Sequence, residues 1–264
     1  MRRAAWVALA LSLTVLAAHA AEPASVRLED LTWTELRDRV AAGSTVALVP
    51  IGGTEQNGPH MTLGKHNVRV RVLAERIARQ LGNALVAPVV AYVPEGSIDP
   101  PTEHMRYPGT ISVPPAAFEA MLEASARSLQ RAGLTHVVLL GDHGGYRRSL
   151  ERVAARVPKV YELAAYYEAS TVGLDRALRA QGFGAAEIGQ HAGLADTSLM
   201  LAVDPSQVRV EAARARRPDA ADGVQGDPRR AEARWAQQSV QDVIERTVAA
   251  IRERVGRPQS APRP

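Results

Sequence analysis

The 264-residue chain contains no cysteine, which excludes a disulfide framework, a thiolate metal site and a cysteine nucleophile together. Aromatic residues make up only 4%, too few for the stacking platform that binds single-stranded nucleic acid. Lysine is nearly missing as well: Lys65 and Lys159 are the only two, and arginine carries the remaining basic charge. The formal charge is +4, with arginines and acids interspersed, so no broad basic field faces nucleic acid or a membrane. After residue 20 no apolar run is long enough to span a bilayer. The 46% of hydrophobic residues is enough for the core of one large domain or two small ones.

The first twenty residues read as a leader. Arg2-Arg3 precedes an apolar run from Ala4 to Ala18, and Ala18-His19-Ala20 has the small-x-small pattern of a signal-peptidase site. We therefore expect a signal peptide over 1–20, cut after Ala20, and a periplasmic or secreted protein with no membrane attachment after cleavage. The folded domain is expected over 21–255, and residues 256–264 read as a flexible proline-rich tail.

Between these ends, strand and helix patterns alternate. Thr45 to Ile51 (TVALVPI) and His136 to Leu140 (HVVLL) are continuous apolar runs, as in strands buried on both faces of a parallel sheet. Leu85 to Val93 and Val160 to Ala165 are further strand candidates. Thr32 with Glu35 three residues on forms a capping box for a first helix. Helices are predicted over Val68 to Leu81, Pro114 to Gly133, Arg147 to Val157, Leu174 to Gln181 and Ala231 to Arg254. The pattern implies an α/β fold, a three-layer α/β/α sandwich with a mostly parallel central sheet. Ligands in such sheets lie beyond the C-terminal strand ends.

Four polar segments concentrate the chemistry: GGTEQNGPHMTLGKHN (52–67), EGSIDPPTEHMRYPGT (95–110), GDHGGY (141–146) and GQHAGLADTSLM (189–200). Five of the seven histidines fall in them. Carboxylates and neutral imidazoles converging at one sheet end are the usual ligands of zinc, manganese or iron. The chain has no G-x-S-x-G elbow, no Walker loop and no dinucleotide fingerprint. These residues point to a divalent-metal hydrolase.

The same segments resemble the creatininase (creatinine amidohydrolase) family in its own order: VPIGGTEQNGPHMTLGKHN against P-x-G-S-x-E-Q-H-G-P-H-L-P-L-x-T-D, then PGTISV, GDHGGY against N-G-H-G-G-N, HAGLADTS against H-A-G-E-x-E-T-S, and a late Gly226-Asp227-Pro228 turn. The resemblance runs from about Leu31 to Arg254. It implies the three-layer fold, a homo-oligomer (a hexamer in the family) and metal-dependent hydrolysis of a C–N bond in a small amide or lactam. It also implies that Glu55 and His143 are metal ligands and that His191 faces the substrate as a proton shuttle.

Departures from the pattern fall on the second metal. Asn57 stands for a metal-binding histidine, His66 for the aspartate that bridges both ions, Gly145 for a glutamate and Leu194 for the first acid of H-A-G-E. An imidazole nitrogen has one lone pair and cannot bridge as a carboxylate does. We therefore expect one metal ion (Zn, Mn or Fe) per chain on Glu55, His66 and His143, with an open position for water. Catalysis is assigned to His191 and to Asp196, which holds that imidazole or completes the metal shell. Asn57, His60, Ser97, His104 and Tyr146 are candidates for substrate binding, and Lys65 reads as a solvated surface lysine. The expected activity is hydrolysis of C–N bonds other than ordinary peptide bonds. The alternative is a catalytically inactive metal- or ligand-binding protein on the same fold.

Overall fold

Every residue of VALVPI is buried, and this run forms strand β1 (Val46–Ile51) at the centre of the sheet. The computed structural model describes residues 25–256; the expected leader, and the expected tail beyond Gly256, lie outside the described residues. β1 pairs in parallel over its whole length with β3 (His136–Gly141). The short strands β2 (Ala84–Val86) and β4 (Val160–Glu162) flank them, giving the order β2-β1-β3-β4 with every pairing parallel.

Parallel strands need crossover connections, supplied by α2 (Lys65–Leu81), α3 (Pro115–Arg131) and α4 (Arg147–Arg156); α1 (Trp33–Ala41) precedes β1, and α5 (Ala164–Glu168), α6 (Leu174–Ala180), α7 (Ala185–Ile188), α8 (Leu194–Val203), α9 (Val210–Ala215) and α10 (Gln237–Gly256) follow β4. Alternation along β1 divides the core. Val46 and Leu48 share one apolar cluster with Leu73 and Ile77 of α2 and with Val243 and Ile244 of α10. Ala47, Val49 and Ile51 share the other with Phe118 and Leu122 of α3 and with Leu150 and Val153 of α4. The sheet is thus covered on both faces, the three-layer α/β/α sandwich expected. Among the described residues no helix is long and apolar enough to cross a membrane.

The Thr32–Glu35 capping box is present, and several boundaries move. The run Leu85–Val93 keeps a ladder only to Val86, because Pro88 has no N–H to donate; isolated bridges at Val90 and Val93 continue its line. The expected strand Val160–Ala165 ends at Glu162 and passes into α5. The last helix begins at Gln237, not Ala231, after single turns at Pro228–Arg230 and Ala233–Trp235. Residues Leu194–Val203, read as part of a polar loop, form α8, whose apolar LADTSLMLAV packs into the core.

Glycine is required where the loop before α8 meets the turn at residues 225–227. Gly226 has φ +139°, and a Cβ there would lie 2.7 Å from the Gly193 Cα and 2.9 Å from the Gly189 Cα. Gly82, which closes α2, also has positive φ (+81°) but open space around it. Gly82→Ala should therefore cost only backbone strain, about 1 kcal/mol. Gly226→Ala adds steric conflict with backbone and should cost about 3 kcal/mol or more. Urea unfolding of the two variants checks the difference; equal losses would contradict it.

Candidate functional site

Because β1 and β3 run side by side in parallel, they deliver Glu55 and Asp142-His143 to the same sheet edge. Tyr146 fixes this junction. Its hydroxyl accepts from the amides of Asp142 and His143, both at 3.1 Å, and lies 2.8 and 2.7 Å from the carbonyls of Ile51 and Gly52. At the start of α2, Asn67 Oδ1 accepts from the Gly53 amide at 3.0 Å. That contact sets the first two residues of α2, Lys65 and His66, facing the loop.

Glu55 is the centre of the arrangement and has no solvent contact. Its Oε1 lies 2.9 Å from His66 Nε2, 3.5 Å from Lys65 Nζ and 3.7 Å from His191 Nδ1. Its Oε2 lies 3.3 Å from His104 Nε2 and 3.8 Å from His143 Nε2, and makes no hydrogen bond. Burial opposes the charge of Glu55, but Lys65, His66 and His143 outweigh it and hold the carboxyl well below its ordinary range. Two trios share this carboxylate, Glu55–His66–His143 and Glu55–His104–His191. In each, one ligand atom per residue lies within 4.8 Å of the others.

A carboxylate stands behind His66 in the first trio. His66 Nδ1 donates to Asp142 Oδ2 at 2.6 Å, and Asp142 also accepts from Arg69 Nε at 2.8 Å and the Tyr166 hydroxyl at 2.7 Å. His143 Nδ1 accepts from the Gly145 amide at 3.2 Å and lies 3.7 Å from Glu95 Oε2, beyond hydrogen-bond distance. Both Glu95 oxygens are buried without a hydrogen bond, and burial with the nearby charge of Glu55 pushes that carboxyl up to about 8. A carboxylate behind the imidazole is how metal-binding histidines are oriented. Burial also pushes His143 down to about 4 and His191 down to about 3, so both are neutral near pH 7, the state that binds a metal. Burial and Lys65 likewise disfavour charge on His66, but its bonds to Asp142 and Glu55 outweigh them and raise it.

The structure brings Glu55, His66, His104, His143 and His191 together and places the other expected residues elsewhere. Asp196 is committed to Lys65 and, at 2.7 Å, to Arg69 Nη1; it also accepts from the Ala192 amide at 3.0 Å, and it does not bond to His191. Lys65 is not a surface lysine: it is 1% exposed, held between Asp196 and Glu55. Asn57 Nδ2 donates to the carbonyls of Glu55 and Thr62, both at 2.9 Å. This bracing of the loop leaves its buried Oδ1 without a partner. His60 is buried against Thr197 (3.0 Å), and Ser97 is exposed, with its amide donating to Thr102 at 2.8 Å. Tyr146 spends its hydroxyl on backbone, as above.

Four residues escaped the sequence reading. Asp142 sits one position before His143 at the end of a buried strand, and Arg69 lies on the Lys65–His66 face of α2; those spacings were the available signals. Glu95 and Gln56 carried none. Beside the trios a cavity of about 520 Å³ is lined by Lys65, His66, His143, His191, Tyr167 and Leu199, among others.

A buried carboxylate ringed by imidazoles, beyond the C-terminal ends of a parallel sheet, has the donor types of a divalent-metal site. The sequence profile of the creatininase (creatinine amidohydrolase) family matches residues 29–251, and the chain belongs to that family of hydrolases. It is 30% identical over 198 residues to the creatinine amidohydrolase of Pseudomonas putida, covering 71% of this chain and 75% of that protein. It is also 32% identical over 168 residues to the mycofactocin precursor peptide peptidase of Mycolicibacterium smegmatis (62% of this chain, 60% of that protein). A crystal structure of creatinine amidohydrolase superposes with a TM-score of 0.71 at 25% identity, covering 89% of this chain and 100% of that one. A manganese form of creatininase gives 0.68 at 27%, covering 87% and 98%.

Two predictions follow from the network. Asp142→Asn removes the charge behind His66 and leaves one oxygen where His66, Arg69 and Tyr166 now share two; it should weaken metal binding by about 10–100-fold, read by metal titration. Burial opposes ionisation of Asp142 and Asp196, but Arg69 and His66 hold Asp142, and Lys65 and Arg69 hold Asp196, below the carboxylate range. Depressed acids stabilise the fold above the unfolded-state pKa of about 4 and lose that contribution as pH falls. Unfolding free energy should therefore drop steeply below about pH 4, and less steeply in Asp196→Asn.

Proposed function

We propose that the chain is an exported metal-dependent amidohydrolase that cleaves a C–N amide-type bond, open-chain or cyclic, in a small molecule. One observation carries this reading: the first trio joins an ionised, solvent-free carboxylate having an unpartnered Oε2 to two imidazoles, of which His66 is backed by the carboxylate of Asp142. Glu55, His66 and His143 would hold one zinc, manganese or iron ion per chain. Such an ion lowers the pKa of a water toward about 7 and polarises a carbonyl. His191 stands beside Glu55 with a neutral ring, suited to carry a proton from water to the departing nitrogen. The cavity of about 520 Å³ falls in the ordinary size range for small-molecule sites, about 300–1,000 Å³, which supports a small amide or lactam. The peptidases among the relatives make a peptide bond the second class to assay. Export rests on the Arg2-Arg3, apolar and Ala-His-Ala pattern alone, and assembly as a homo-oligomer on the family.

Elemental analysis of protein purified without chelator should find about one divalent ion per chain, lost in His66→Ala and His143→Ala along with amide hydrolysis. An ion retained in both variants would overturn the ligand assignment. A stoichiometric ion with no turnover on amides, lactams or peptides would turn the reading to a binding protein.

A further inference from the structure

The second trio, Glu55–His104–His191, has ligand spacing equal to the first, yet nothing behind it is a carboxylate. What stands there is Gln56. Its Oε1 accepts from the Gly58 amide at 2.9 Å and its Nε2 donates to the Gly223 carbonyl at 2.9 Å. Those two backbone partners fix which end of the amide is oxygen and which is nitrogen. The second hydrogen on Nε2 then has two imidazole nitrogens in reach, His104 Nδ1 and His191 Nε2, both at 3.0 Å. His191 Nε2 is also 2.9 Å from the Gln56 carbonyl oxygen, an atom that can only accept.

One proton assignment satisfies all of these groups. His191 carries its hydrogen on Nε2 and donates it to the Gln56 carbonyl, and His104 Nδ1 is bare and accepts from Gln56 Nε2. His104 Nε2 then bears the hydrogen and points it at Glu55 Oε2, 3.3 Å away. His191 Nδ1 is left with a free lone pair, 3.7 Å from Glu55 Oε1. The opposite assignment leaves the Gln56 carbonyl without a donor and sets N–H against N–H at His104.

We propose that Gln56 is a positioning residue that fixes these tautomers, so that the second trio serves as a hydrogen-bond donor and proton acceptor beside a single metal ion, and not as a second metal site. The proposal rests on the metal-hydrolase reading above. A metal at the second trio would need a bare Nε2 on His104, hence a hydrogen on Nδ1, which faces the Gln56 N–H group. At the first trio His66 Nδ1 faces Asp142, which accepts its hydrogen at 2.6 Å, so the Nε2 of His66 is bare toward Glu55 as a metal ligand requires. During hydrolysis His191 Nδ1 takes a proton from water as the water oxygen bonds to the carbonyl carbon. The same proton passes to the nitrogen as the C–N bond breaks, and His191 ends as it began. His104 keeps its own proton throughout and holds Glu55 in place.

The test reads the rings directly. In metal-free, full-length protein labelled with 15N-histidine, long-range nitrogen–proton correlation should show Nε2–H tautomers for both His104 and His191, assigned by the signals lost in His104→Asn and His191→Asn. Gln56→Glu presents an acceptor to His104, so its tautomer should switch to Nδ1–H, and manganese capacity should rise from one ion per chain to two. Gln56→Met, which removes the donor without adding a charge, should lose the fixed tautomer of His104 and serves where the glutamate variant folds poorly. An Nδ1–H tautomer of His104 in the wild type, or two manganese ions bound by the wild type at saturation, would overturn the proposal. If the wild type binds no metal at all, the metal-hydrolase reading fails, while the tautomers still decide the role of Gln56.

Discussion

A carboxylate deprived of water must be neutralised by whatever surrounds it, and Glu55 imposes that requirement on the whole edge of the sheet. An unpaired buried charge of this kind costs several kcal/mol. Lys65, His66, His104, His143 and His191 all point at its two oxygens. They come from the start of α2, the loop after β2, the end of β3 and the loop before α8. The site is therefore a meeting of four chain segments around one charge, and the turn geometry of each, from Gly52 to Gly226, is set by the need to reach it.

Charge is arranged around that centre in alternating layers. Behind Lys65 lies Asp196, behind His66 lies Asp142, and Arg69 ties the two acids together at 2.7–2.8 Å. The family pattern has an aspartate where this chain has His66 and a glycine where it has Asp142. The carboxylate is thus displaced from one position to its neighbour in space, 2.6 Å from the imidazole that replaced it. In the reading proposed above, a bridging ligand would give way to an imidazole with its own orienting acid. Buried pairs of this kind are costly to break one partner at a time, about 3–5 kcal/mol, so the network fixes geometry more than it adds net stability.

The fold was legible because β1 and β3 are buried on both faces and read as unbroken apolar runs, and because Thr32–Glu35 announces its helix. That Glu55, His66 and His143 meet at one sheet end was readable from loop position and from the resemblance to the family. What surrounds it was not, since burial of a charged side chain is decided by partners far away in sequence. Lys65 looks like a surface residue until Asp196, 131 positions later, is folded against it. Asp196 looks like a partner of His191 until α8 turns it toward Arg69. Tyr146 looks like a pocket aromatic until its hydroxyl is seen to join two strand ends. Glu95 and Gln56 lie against nitrogen atoms of histidines brought to them only by the tertiary fold.

The central proposal is a single ion held by Glu55, by His66 backed by Asp142, and by His143. X-ray absorption at the metal edge of the manganese- or zinc-loaded protein tests this most directly. A spectrum fitted by oxygen ligands and two imidazoles, with no metal–metal scattering, is the predicted result. A second metal at about 3.5 Å, the separation usual in two-metal hydrolytic sites, would contradict it and return both trios to service as ligands.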